Sequence, residues 1–161
     1  ATKKPAEIIV IVAVAENNVI GCKGDIPWRI KEDFRRFKDL TMGYPCIMGD
    51  RTYISLPKRP LPGRENIVLS LDKNFKAEGV VVMDSFDDAI EYCRGKGKAF
   101  ICGGATIYRI GLKVADTLEV TRVHKSYEGD TFFPEIDFSE WKLVNEDKKE
   151  GYSFLTYKRK R

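Results

Sequence analysis

The sequence predicts an α/β sandwich built on a largely parallel sheet, and three observations carry that prediction. Short, apolar, β-branched runs recur along the chain, and amphipathic stretches at helical spacing alternate with them. Beyond residue 117 the alternation stops, and two strand-like runs follow one another across a polar turn.

The first run, EIIVIVAVA at 7–15, is apolar almost throughout, as a strand covered on both faces should be. Two lysines before it and the small residues within it superficially imitate a secretory leader. The run is short, however, and patterned sequence continues past it without a break. PCIMG at 45–49, NIVLSL at 66–71, GVVVM at 79–83, AFICG at 99–103 and TLEVTRVH at 117–124 read as further buried strands. Helices are expected at about 30–41, 51–56, 86–94 and 105–112. Ser85 opens the third, with Asp88 three residues on as in a capping pattern. WKLVNED and YSFLTYKRK, joined around Lys149 to Gly151, read as a closing antiparallel hairpin. The 161 residues are enough for one domain, 1–161, with its own hydrophobic core.

Composition narrows the functional classes. The chain is 43% hydrophobic and 32% charged, ordinary for a water-soluble globular protein, and no segment approaches the roughly 18 apolar residues of a membrane span. The net charge of +4 is spread out except in the closing YKRKR, which reads as a solvated end, and no aromatic-basic interleaving suggests nucleic acid. Cys22, Cys46, Cys93 and Cys102 form no C-x-x-C pair, and His124 is the sole histidine. That argues against a zinc site, a disulfide framework or a histidine-activated cysteine, and suggests free thiols in a reducing cytoplasm. No surplus apolar face is apparent, so a monomer is expected.

Candidate chemistry collects at strand ends, where open α/β sheets bind ligands. In ICGGATIY two glycines bridge a strand and a helix, which suits a phosphate approaching the main chain and equally suits tight packing. In MGDRTYISL, Arg51 and Thr52 open a helix and serve either phosphate oxygens or a helix cap. KRPLPGREN is a rigid turn whose Arg59 and Arg64 could hold a carboxylate in a bidentate fork. DIPWRIKEDFRRFKDL is the most telling. Ile30, Phe34, Phe37 and Leu40 form one apolar stripe, yet Asp33 sits between the first two. Attraction of a carboxylate to the helix start explains its presence but not its face, whereas a ligand that supplies donors explains both.

Taken together, VIGCKGDIPWRIKEDFRRFKDLT, IMGDRTYISL, RPLPGRENIVLS, FICGGATIY and VTRVHKSYEGDTFFP, in this order and spacing, resemble dihydrofolate reductase from about Ile8 to Tyr157. The resemblance implies an eight-stranded mixed sheet with four helices. It implies reduction of 7,8-dihydrofolate to tetrahydrofolate by hydride transfer from NADPH, for one-carbon metabolism and for thymidylate and purine synthesis. Antifolates such as methotrexate or trimethoprim would then be inhibitors. In such an enzyme Asp33 binds the pterin's amino group and adjacent ring nitrogen, either relaying a proton or only polarising the ring. Thr121 buttresses it, and Trp28 orders a nearby water. Val12, Ala13, Phe34, Phe37, Ser55, Leu56 and Leu61 line the folate pocket together with Cys102 and Tyr108, and Arg64 grips the glutamate carboxylate. Ala13, Asn18, Ile20, Gly21 and Ile26 approach the cofactor, the loop NNVIGCKGDIPW forms its lid, and Tyr127 to Asp130 supports that lid. Further cofactor contacts are implied at Gly49, Asp50, Arg51, Thr52, Leu69, Ser70 and Leu71. The run Cys102, Gly103, Gly104, Ala105, Thr106 and Ile107 takes nicotinamide and pyrophosphate, with a cis bond between the glycines.

The departures from the family pattern lie at the adenosine phosphate. Where many members carry Gly-Arg or Gly-Lys before the threonine, this chain reads Gly49-Asp50-Arg51-Thr52, and Leu71 occupies a site that is often basic or polar. An acidic Asp50 would repel the phosphate of NADPH, and Arg51 or Lys73 would have to compensate. Two rivals share the fold: the pyrimidine reductase of riboflavin synthesis, and a non-catalytic structural or nucleic-acid-binding protein.

Overall fold

The computed structural model describes residues 3–21 and 26–160. Ten strands and four α-helices follow in chain order. They are β1 (Glu7–Ala15), β2 (Val19–Gly21), α1 (Lys31–Thr41), β3 (Cys46–Gly49), α2 (Asp50–Ser55), β4 (Asn66–Leu69), β5 (Val80–Met83), α3 (Phe86–Tyr92), β6 (Lys98–Ile101), α4 (Ala105–Gly111), β7 (Thr117–Val123), β8 (Thr131–Phe132), β9 (Trp141–Lys148) and β10 (Tyr152–Arg159). Eight of the strands form one sheet in the order β5-β4-β3-β6-β1-β7-β10-β9. Pairing is parallel from β5 across to β7 and antiparallel for β10 with β7 and with β9. The expected fold class is the one observed.

Residue alternation along the strands divides the core into layers. Ile8, Val10, Val12 and Val14 of β1 face one side, packed with Ala89 of α3 and Tyr108 of α4. Ile9 and Ile11 face the other, with Tyr53 of α2 and Phe37 and Leu40 of α1. Helices therefore cover both faces, as the β-branched runs require. The Ser85 hydroxyl accepts from the Asp88 amide and so caps α3 as expected.

The sequence reading missed β2 and β8. These pair antiparallel as a separate two-stranded ribbon, and at three and two residues they are too short to show a period. The chain leaves β1 toward β3, β4 and β5, returns to insert β6 between β3 and β1, and then places β7 on β1's other side. The carboxyl end of β1 is thus the point where connections diverge, and such a point is where open α/β sheets bind ligands.

Candidate active site

Three elements converge on Asp33. It lies in the first turn of α1, β7 carries Thr121 beneath it, and Ala13 of β1 is Thr121's cross-strand partner. The Thr121 hydroxyl, on a residue 2% exposed, donates to Asp33 Oδ1 at 2.6 Å. Oδ2 takes no hydrogen bond among the described residues. Burial pushes the Asp33 carboxyl above its ordinary range, against the opposing pull of the Thr121 hydroxyl and the Arg36 guanidinium. Arg36, one turn further on, is itself committed to Glu119 of β7 at 3.0 Å and lies over the Phe154 ring. The sequence reading did not single out Arg36 or Glu119. Their spacing from Asp33 (three residues) and from Thr121 (two residues) is the signal that could have found them.

Trp28 is buried against Tyr127, with ring centroids 5.3 Å apart, and its indole Nε1 is buried without a partner among the described residues. A buried donor of this kind is costly unless a bound molecule satisfies it. The stripe expected on α1 divides. Ile30 packs with Trp28 and Ala13, Phe37 and Leu40 join the sheet, and Phe34 stays 44% exposed.

Leu56, Leu61 and Cys102 pack in the same layer as Phe37. Ser55 is exposed, and its hydroxyl donates to the Thr52 carbonyl. The RPLPGR turn is fixed by Asn66, 1% exposed, whose side chain accepts from Leu61 N and donates to the carbonyls of Leu61 and Arg64. The Arg64 guanidinium is oriented by the Pro62 carbonyl at 2.9 Å, by Thr41 Oγ1 at 3.1 Å and by the Phe37 ring. Thr41, fully buried, was not foreseen as its anchor. Val12 needs restating: its side chain faces the opposite layer, so only its main chain can reach this pocket. Tyr108 also belongs to that layer, but its hydroxyl, which burial keeps protonated, reaches the carbonyls of Ile11 and Cys102 at 2.9 and 3.0 Å.

The glycines form a second cluster. Gly49 N donates to the Gly103 carbonyl at 2.8 Å, joining the ends of β3 and β6, and the Gly103–Gly104 bond is cis. A Cβ on Gly104 would sit 3.3 Å from Thr52 Oγ1, so this close approach is kept open by glycine. Ala105, Thr106 and Ile107 begin α4 directly after it. Beside the cluster, Ser70 donates to Asp50 Oδ2 at 2.6 Å, Leu69 is buried, and Leu71 is 86% exposed. Arg51 is also exposed.

The β2–β8 ribbon lies against β1. Asn18 adopts φ 67°, and its side chain accepts from Arg122. Asp130 N donates to the Gly21 carbonyl, and Asn17 exchanges hydrogen bonds with the main chain of Tyr127. Ile20 packs on the sheet core, and Ile26 packs in the cluster that holds Trp28. The centre of the expected lid, residues 22–25, lies outside the described residues.

Fold and pocket together define a class: an α/β protein that places one semi-buried carboxylate and a glycine-lined main-chain cradle at the same divergence point of its sheet. Comparison with known proteins narrows the class. The chain matches the dihydrofolate reductase family over residues 7–159. It is 42% identical over 157 residues to the dihydrofolate reductase of Neisseria gonorrhoeae, covering 94% of this chain and 97% of the relative. It is 39% identical over 157 residues to that of Bacillus subtilis, covering 93% of each. The solved structure of dihydrofolate reductase from Enterococcus faecalis complexed with NADP(H) and RAB-propyl superposes with a TM-score of 0.90. That structure is 33% identical to this chain and covers 99% of it. The chain belongs to the dihydrofolate reductase family.

Proposed function

We propose that Asp33, anchored by Thr121, is the group that holds and polarises the pterin in an NADPH-dependent reduction of 7,8-dihydrofolate to 5,6,7,8-tetrahydrofolate, carried out by one domain. The reaction itself follows from family membership across nearly the whole chain. The observation that supports the role of Asp33 is its geometry. One oxygen is fixed by a buried hydroxyl at 2.6 Å, and the other is left to accept from a ligand.

Gly49, Gly103 and Gly104 bring main chain without side chains together at the ends of β3 and β6, which suits the close approach of a dinucleotide's pyrophosphate. When bound, NADPH supplies the hydride. Asp33 accepts from the pterin's amino group and ring nitrogen and so fixes the ring's orientation. As the accepting carbon gains hydride, the adjacent imine nitrogen gains a proton. A carboxyl whose protonated form is favoured by burial supports that proton's delivery. Trp28 offers its unpartnered Nε1 to a molecule bound beside Asp33. Phe37, Leu56 and Leu61 exclude water, and Arg64, already oriented by Thr41 and Pro62, receives the glutamate carboxylate. Ala13, Phe34, Ser55 and Cys102 border the substrate. Asn18, Ile20, Gly21, Ile26 and Asp130 border the nicotinamide side.

Antifolates such as methotrexate or trimethoprim, which present a comparable pair of donors, compete for Asp33 in this reading. Among the described residues no helix is long and apolar enough to cross a membrane. The free thiols of Cys46, Cys93 and Cys102 support a reducing, cytoplasmic setting, and gel filtration tests the monomer.

The experiment is an absorbance assay of NADPH oxidation with dihydrofolate. Asp33→Asn should bind cofactor normally but lose at least about a hundredfold in kcat/KM near neutral pH. Near-normal turnover would remove Asp33 from the mechanism.

A further inference from the structure

The cofactor's far end meets an acidic corner. If the hydride donor's ring lies against the pterin at the end of β1, and its pyrophosphate crosses the glycine cradle between β6 and β3, the second nucleoside continues outward to the ends of β3 and β4. Three strand steps from β1 to β4 are about 14 Å, a distance that two pyrophosphate-linked nucleosides span. The groups waiting there are Asp50, the first residue of α2, and Ser70 and Leu71, which follow β4.

Their chemistry is that of an acceptor. The Ser70 hydroxyl has one proton and gives it to Asp50 Oδ2 at 2.6 Å, while its oxygen accepts from Asp72 N at 3.2 Å. Leu71 has no polar side-chain atom. Asp72 is a second carboxylate, and its Oδ1 accepts from Asn74 N. Arg51 and Lys73 are exposed neighbours, and neither makes an ion pair with Asp50 among the described residues. A ribose 2′-hydroxyl can donate to the free lone pairs of Asp50, whereas a 2′-phosphate has only oxygens to offer and meets like charge. In dinucleotide-binding folds generally, an acidic residue at the ribose marks the unphosphorylated cofactor and a basic one the phosphorylated cofactor.

We propose that Asp50, held by Ser70, is the specificity-determining residue of the cofactor site, and that it makes this enzyme accept NADH alongside NADPH. The proposal rests on the reductase reading above and adds to it a corner built to receive a diol.

The test is equilibrium titration of the intact protein with NADPH and, separately, with NADH, followed by quenching of tryptophan fluorescence. It is run on the wild type, Asp50→Asn, Asp50→Arg and Ser70→Ala, each first checked for an unchanged unfolding midpoint. The wild type should bind the two cofactors within about tenfold of each other. Asp50→Asn should tighten NADPH about tenfold and weaken NADH two- to threefold. Asp50→Arg should move the ratio further the same way, and Ser70→Ala, which frees the carboxylate, should move it less. A wild-type preference for NADPH of a hundredfold or more overturns the proposal. So does a ratio that both Asp50 variants leave within twofold of wild type. Failure of the wild type to oxidise either cofactor with dihydrofolate would sink the reductase reading itself, a different outcome on a different assay.

Discussion

Thr121→Val is the perturbation that most directly interrogates the site. Valine has nearly the volume of threonine on a residue 2% exposed, so no cavity is made, and the change replaces one donor to Asp33 by a methyl group. That donor meets Asp33 Oδ1 at 2.6 Å across 88 residues of sequence. A hydrogen bond to an ionised acceptor contributes about 1.5–3 kcal/mol, and a neutral one about 0.5–1.5 kcal/mol. The variant should therefore lose about 2 kcal/mol where Asp33 is ionised, equivalent to roughly 4–8 °C in unfolding temperature for a chain of this size. The loss should fall to about 1 kcal/mol where Asp33 is protonated.

The direction with pH follows from linkage. Burial holds the folded-state pKa of Asp33 above its unfolded value. Ionisation therefore costs stability as pH rises from the unfolded pKa through the folded one, and the full cost is present above it. Thr121 offsets part of that cost, so Thr121→Val raises the Asp33 pKa further and should move the midpoint of the kcat/KM profile to higher pH. Urea unfolding at one pH below and one pH above the Asp33 midpoint read from the kcat/KM profile, on Thr121→Val, Asp33→Asn and the double variant, isolates the pair. A loss of equal size at both pH values, or no coupling in the cycle, would refute a hydroxyl-to-carboxylate bond at this site.

Two further expectations concern the frame around the site. In Gly129→Ala the new Cβ would collide with Val19 Cγ1 and lie 2.6 Å from the Gly21 carbonyl. The β2–β8 ribbon must therefore shift, costing about 1–3 kcal/mol in thermal unfolding and weakening cofactor binding in the fluorescence titration. In Glu7→Gln the change is at the opposite end of the sheet. Burial raises the Glu7 pKa, but hydrogen bonds from Thr117 and Lys158 outweigh it and leave the carboxyl below its usual range. Its contribution, about 0.5–1 kcal/mol for a partly exposed group, is present above the unfolded pKa and is lost as pH falls through the folded one. The variant should be less stable than wild type near neutral pH and equal to it in strong acid, as measured by urea titration.

The architecture was legible because it is written in short-range order. β-branched runs can be satisfied only by burial on two faces, and the amphipathic stretches between them have only those faces to cover. The cap at Ser85 and the hairpin at Lys149 to Gly151 are likewise local chemistry, and the structure places both where the residues do. Asp33 stood out for a related reason: a carboxylate on an apolar stripe is a local inconsistency, and such inconsistencies mark places where something else must complete the packing.

By itself, then, the sequence determined the strands of the main sheet and the helices that cover it, though not the short β2–β8 ribbon, and showed that one helix carries an acid where packing favours none. Tertiary structure decided the pairings, of which the family resemblance had implied only that of Thr121 with Asp33. Thr121 meets Asp33, Thr41 meets Arg64, Ser70 meets Asp50, and Val12 turns away from the pocket that Ala13 borders. The physical reason is range. Periodicity and capping act within a few residues, whereas these contacts are made by strand order and register, which bring together groups up to 88 positions apart and which no local pattern encodes.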